Sequence, residues 1–166
     1  MLTPQFNRLQ IRQGFTIVEL LIAIAIAIIA VLASISIVAY NGIRDRANNS
    51  VVRSDAATIA KKLEIAKAQL GSYPRVTADI PQLQLSKAAY DTAWDNVYYC
   101  GKGDAVSIGL RSKSGQGYFV VSGRVIESAD PVGGNQTAGY VGTTWAECDF
   151  RVVGYSNSSS AWREWT

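Results

Sequence analysis

Residues 15–40 form a run of 26 residues with one charged side chain, Glu19, and no proline. A stretch of that length exceeds the roughly 20 apolar residues that cross a bilayer as a helix. Ile and Ala alternate from Ile22 to Ala30, which imitates the period of a strand, but the run is longer than any ordinary strand and so is read as helix. Ala23, Ala25, Ala27, Ala30 and Ala33 keep that helix thin, so that neighbouring helices can approach closely. Residues 41–166 must then fold as a separate body, large enough for one small core and not for two. All four Trp residues lie there.

The net charge of +3 invites a nucleic-acid reading, and its distribution argues against one. Arg8 and Arg12 are the only charged side chains before Phe15, and without residues 1–14 the chain carries 14 basic against 13 acidic groups. A near-neutral remainder has no electrostatic footprint for a phosphate backbone. A basic leader ahead of an apolar run is also the layout of a secretory signal. In that reading cleavage after Ala33, with Val31 and Ala33 as the small residues, releases a soluble domain. Two features oppose it. The run exceeds a signal core of about 7–15 residues, and an unpaired carboxylate at the bilayer centre costs about 2.5–3.5 kcal/mol. A disposable segment has no reason to carry Glu19, whereas a retained one can pair it.

The peptide Gly14-Phe15-Thr16-Ile17-Val18-Glu19-Leu20-Leu21-Ile22 resembles the class III signal of type IV prepilins and pseudopilins. The resemblance implies cleavage between Gly14 and Phe15 by a membrane aspartyl protease, the prepilin peptidase, and N-methylation of Phe15 by the same enzyme. The mature chain would have 152 residues with Glu19 as its fifth. Gly14, lacking a side chain, lets a protease approach the backbone. The freed amino group is a cation, and Glu19 of an adjacent subunit is its natural counter-ion, since two desolvated charges offset each other only when closely paired. Glu19 is therefore assigned to subunit assembly. Its carboxylate also suits the N-terminal dipole of its own helix. The chain departs from the family where many type IV pilins carry a proline ahead of an Ala-Tyr pair: here Val38 precedes Ala39-Tyr40, and no proline occurs between Phe15 and Gly71. A proline kink is therefore not expected, and the segment is about two residues longer.

Past the membrane segment, Val52, Ala56, Ile59, Leu63, Ala66 and Leu70 recur at helical spacing and make one apolar stripe. Lys61, Lys62, Glu64 and Lys67 form a solvated opposite face. Gly71 and Pro74 end the helix. A connecting region to about Asn96 contains a short helix around 86–93. Strand signals follow at 97–100, 106–110, 117–122 and 124–127, then a Gly-rich polar loop at 129–144. A last hairpin pairs 148–154 with 161–165. The expected fold class is α+β: a long N-terminal helical spine packed on a small, mostly antiparallel sheet, as in pilins. The divisions are a leader (1–14, removed), a transmembrane and filament-core helix (15–40), its amphipathic continuation (41–71) and a β-rich head (72–166).

Cys100 and Cys148 lie beyond the apolar segment, on the side that a basic leader leaves outside the cytoplasm. Export makes a disulfide the expected state, with two free buried thiols as the alternative. With no His the commonest general base is missing, and no catalytic constellation, cofactor motif or metal-ligand spacing is present; enzymatic activity is not expected. The glycines at 101–103 and 115–117 read as turns rather than a phosphate loop. Asp130 and Asp149 lack the spaced partners of a calcium site. Asn48, Asn135 and Asn157 begin N-glycosylation patterns. Trp162 and Trp165 are read as packing on the sheet in preference to an adhesive surface.

The function expected from the resemblance is a structural subunit of a type IV pilus-like filament serving adhesion, motility or DNA uptake. The alternatives are a pseudopilin of a type II secretion system and a membrane-anchored or secreted binding domain. Its implied partners are further copies in a helical homopolymer, minor pilins, the prepilin peptidase, an inner-membrane assembly platform and, before assembly, the lipid bilayer. The precursor would span the cytoplasmic membrane once with its head outside, and the filament would be extracellular or periplasmic.

Overall fold

A computed structural model describes residues 15–130 and 132–166. The leader and Gly14 lie outside the described residues. The chain divides into two compact units, Met1–Asn41 and Gly42–Thr166. Helix α1 (Ile17–Leu70) crosses that division. In the first unit every described residue is exposed, and this part of α1 is long and apolar enough to cross a membrane.

In the second unit α1 buries Val52, Ala56, Ile59, Ala60, Leu63 and Ala66. Leu70, expected in the same stripe, is instead half exposed. Gly71, at φ +78°, ends the helix in the left-handed region and turns the chain so that Tyr73 fills the core beyond Ala66. Ala60, one turn from both Ala56 and Leu63, widens the buried stripe.

The stripe packs on a six-stranded antiparallel sheet, so the α+β arrangement is as expected. Its strands are β1 (Asn96–Lys102), β2 (Ala105–Arg111), β3 (Gly117–Val121), β4 (Arg124–Ser128), β5 (Phe150–Ser156) and β6 (Ala161–Trp162), in the order β4-β3-β2-β1-β5-β6. Side chains alternate across the pleat. Tyr99, Val106, Ile108, Leu110, Tyr118 and Val120 join the α1 core, while Tyr98, Ser107, Gly109 and Phe119 fall on the other face. Tight turns join the first four strands. Ser122 and Gly123 both have positive φ and make a two-residue hairpin, and Gly103 and Gly115 serve the other two turns. Gly101, expected in a turn, lies within β1, and Gly117 opens β3, at the first residue of the strand expected there.

The far face is covered by residues 132–148. The loop expected at 129–144 contains a short helix α2 (Gly134–Gly139), and one 3-10 turn, Trp145–Glu147, follows it. Contacts with the sheet hold it. The Ser107 hydroxyl donates to the Thr137 carbonyl, and Trp145 meets Tyr98 edge-on with ring centroids 5.5 Å apart. Cys100 of β1 is bonded to Cys148, Cα–Cα 5.6 Å. Cys148 precedes β5 rather than lying in it, because the 3-10 turn and its capping box use the residues before it.

The helix expected around 86–93 is one 3-10 turn, Lys87–Ala89. Asp55 of α1 ties down both its flanks, accepting hydrogen bonds from Ser86 N (2.9 Å) and Tyr90 Oη (3.0 Å). The last hairpin is shorter on its second side than expected, ending at Trp162, after which Trp165 turns into the core. Trp162 packs against Tyr90 and Tyr155. Both tryptophans thus pack on the sheet.

Candidate functional site

The head of α1 holds Phe15 and Glu19, singled out for methylation and assembly. Phe15 and Thr16 precede the helix, and Glu19 stands in its first turn. The first N–H groups of any helix lack intrahelical acceptors. Here Thr16 and Glu19 satisfy two of them reciprocally. The Glu19 amide donates to Thr16 Oγ1 at 3.2 Å, and the Thr16 amide donates to Glu19 Oε2 at 2.8 Å. The Thr16 hydroxyl donates to the same Oε2, also at 2.8 Å. This is a capping box, a Ser or Thr followed three residues later by Glu at the start of an apolar run. Thr16 was not singled out from the sequence, although Thr16-Ile17-Val18-Glu19 spells the motif.

The hydrogen bonds of the Glu19 carboxylate therefore go to Thr16 and not to Phe15. Among the described residues its second oxygen, Oε1, has no hydrogen-bond partner. A carboxylate held by one oxygen and open at the other is fixed in direction and can still accept a cation. Below it the apolar surface is interrupted only by hydroxyls that bond back to their own helix. Ser34 Oγ reaches the Ala30 and Val31 carbonyls at 2.9 and 2.8 Å, and Ser36 Oγ reaches Leu32 at 2.8 Å. Those serines leave the surface apolar in effect. The chemistry available at this end of the helix is charge pairing and packing.

The remaining sites expected from the sequence lie in the unit Gly42–Thr166. Cys100 and Cys148 are joined. Asp149 bonds Lys102 Nζ at 3.0 Å and Gly103 N at 2.7 Å, and these partners hold its carboxyl below the usual aspartate range, the Gly103 amide most. Asp130 bonds Ser128 instead, so the two aspartates do not share a site. Among the described residues no three His, Cys, Asp or Glu side chains converge as metal ligands. Asn135 Oδ1 accepts from Trp145 N, and Asn157 Nδ2 donates to the Ala93 carbonyl, so both amides have partners within the fold.

Compared with models of protein families, with curated proteins and with solved structures, the chain matches none.

Proposed function

We propose that this chain is the subunit of a type IV pilus-like filament, cut between Gly14 and Phe15, methylated at Phe15 and polymerised through its apolar helix. The observation that carries the reading is the Glu19 carboxylate, the one charged side chain in residues 15–40 and half satisfied by Thr16. In a bilayer or a bundle of such helices the open oxygen needs a cation. Cleavage would create one cation per chain, the amino group of Phe15. One cation and one anion per subunit, paired between neighbours at an axial offset, make a head-to-tail contact that does not close on itself, and such contacts generate helical filaments. The role is structural, and adhesion, motility and DNA uptake all remain open to a filament of this kind.

The test has two parts. Mass spectrometry of the processed protein should find methyl-Phe15 at the N-terminus; a start at Ser34 would instead identify an ordinary secretory signal. Glu19→Ala should remain inserted in the membrane yet form no filament, because leaving one member of a buried pair unpartnered costs about 3–5 kcal/mol per contact. Normal assembly of Glu19→Ala would sink the pairing argument and favour a simple membrane anchor. A pseudopilin shares each of these features, and fibres extending beyond the cell surface would separate a pilin from it.

A further inference from the structure

The segment that covers the far face of the sheet leaves a cavity of about 260 Å3 lined by Phe119, Ser128, Asp130, Gln136, Gly139 and Tyr140. Phe119 is buried and forms the floor. The Tyr140 ring stacks on it at 4.5 Å between centroids, tilted by 38°, with 37% of the residue exposed. Asp130 is seated by Gly117: a Cβ at that position would stand 3.0 Å from the Asp130 carbonyl oxygen and 2.9 Å from a Val132 methyl. The absence of a side chain on β3 thus lets the segment lie close to the sheet. Asp130 Oδ2 accepts from Ser128 Oγ at 3.2 Å. Among the described residues, Asp130 Oδ1, both polar atoms of the Gln136 amide and the Tyr140 hydroxyl have no hydrogen-bond partner.

An aromatic face beside a carboxylate and an amide selects among ligand chemistries. No Lys or Arg lines the cavity, and Asp130 repels anions, so phosphates and carboxylates are poor ligands. A quaternary ammonium prefers aromatic faces on several sides, and here Tyr140 offers one. A pyranose has an apolar C–H face to lie on a ring and hydroxyls at its edge. A carboxylate that only accepts and an amide that both donates and accepts can bridge adjacent hydroxyls of such a ring. The volume, just under the roughly 300–1,000 Å3 of larger ligand pockets, suits a single ring. We infer that this cavity binds one neutral sugar ring, presented on a glycan. The inference does not depend on filament assembly.

The test uses the full chain in a zwitterionic detergent that has no sugar headgroup. D-glucose, D-galactose, D-mannose, N-acetyl-D-glucosamine and choline are each examined by saturation-transfer NMR. At least one sugar should receive saturation, most strongly at its ring C–H protons. Tyr140→Ala and Asp130→Asn should each weaken its binding about tenfold. Tyr140→Phe keeps the ring and should retain binding. Trp94→Ala, which removes an aromatic 61% exposed elsewhere in the unit, should leave binding unchanged. Far-UV circular dichroism checks each variant, and Asp130→Asn, on the surface, decides the matter if Tyr140→Ala fails to fold. No transfer to any of the four sugars overturns the inference. So does transfer unaffected by the Tyr140 and Asp130 substitutions, or binding of choline alone. Because the readout is taken on dispersed protein, its failure leaves the filament reading untouched, and the converse holds.

Discussion

A methyl group added at position 109 would stand 2.2 Å from Thr137 Oγ1 and 2.8 Å from a Val132 methyl. Both neighbours belong to the segment that covers the far face, so Gly109 fixes how closely that segment lies on the sheet. Gly109→Ala should destabilise the protein by about 1–3 kcal/mol, the usual cost of overpacking, seen as a lower urea midpoint with an unchanged slope. Gly139→Ala is the control: nothing lies within 4 Å of its added Cβ, and the change should stay within about 0.5 kcal/mol. An equal effect at both positions would mean that the close approach at Gly109 does not matter. The two kinds of small-scale feature differ in how they could be read. The Thr16–Glu19 capping box was legible, because it is local and its spacing is the motif. The demand for glycine at 109 was not, because its cause is a threonine far along the chain.

The same contrast holds for elements. The first four strands were legible within about two residues, since runs such as Val106–Leu110 alternate between a buried and a covered face and are bounded by glycine turns. So was the end of α1 at Gly71. The helix α2 was not, because Gly134, Asn135, Gln136, Thr137, Ala138 and Gly139 carry no apolar stripe and have weak helix propensity. It exists because the Thr137 carbonyl accepts from Ser107 and because the disulfide returns the segment to β1. The candidate sugar cavity shared that illegibility, being assembled from β3, β4, α2 and the residues Asp130 and Tyr140 that flank them. Removing the cross-link tests this dependence. The double substitution Cys100→Ser, Cys148→Ser frees a pair 48 residues apart and should cost about 4 kcal/mol by loop-closure entropy. Hydrogen exchange should show α2 losing protection before the β1–β2 pair does. Equal protection losses in both would show that α2 does not lean on the bond.

Across the whole Gly42–Thr166 unit, tyrosine hydroxyls join segments that are distant in sequence. Tyr73 donates to Glu64 of α1 at 2.5 Å, Tyr90 to Asp55 of α1, and Tyr99 of β1 to the Pro74 carbonyl at 2.8 Å. Burial pushes all three phenols up, with the neighbouring Glu64 and Asp55 adding to the effect at Tyr73 and Tyr90; Tyr73 reaches about 12. A group whose folded pKa is raised contributes stability that is complete below its unfolded value, about 10, and is lost as pH rises toward the folded one. Stability should therefore hold to about pH 10 and fall between there and about 12, with the tyrosinate absorbance of these buried phenols appearing together with loss of circular dichroism. Full tyrosinate absorbance ahead of unfolding would contradict it. The strand order carries a consequence of another kind, in time. β1 pairs on one side with β2, next in sequence, and on the other with β5, which arrives only after β4 and the covering segment. The first four strands can therefore form as a local meander, whereas β5 must close a long loop, and late non-local pairings are slow. Until it arrives, the inner edge of β1 is exposed to pairing with other chains. With Cys100 already bonded to Cys148, refolding begins with that return made, so oxidised protein should refold faster and aggregate less than reduced protein in stopped-flow experiments. The cross-link thus governs when the sheet is completed as well as how firmly it is held.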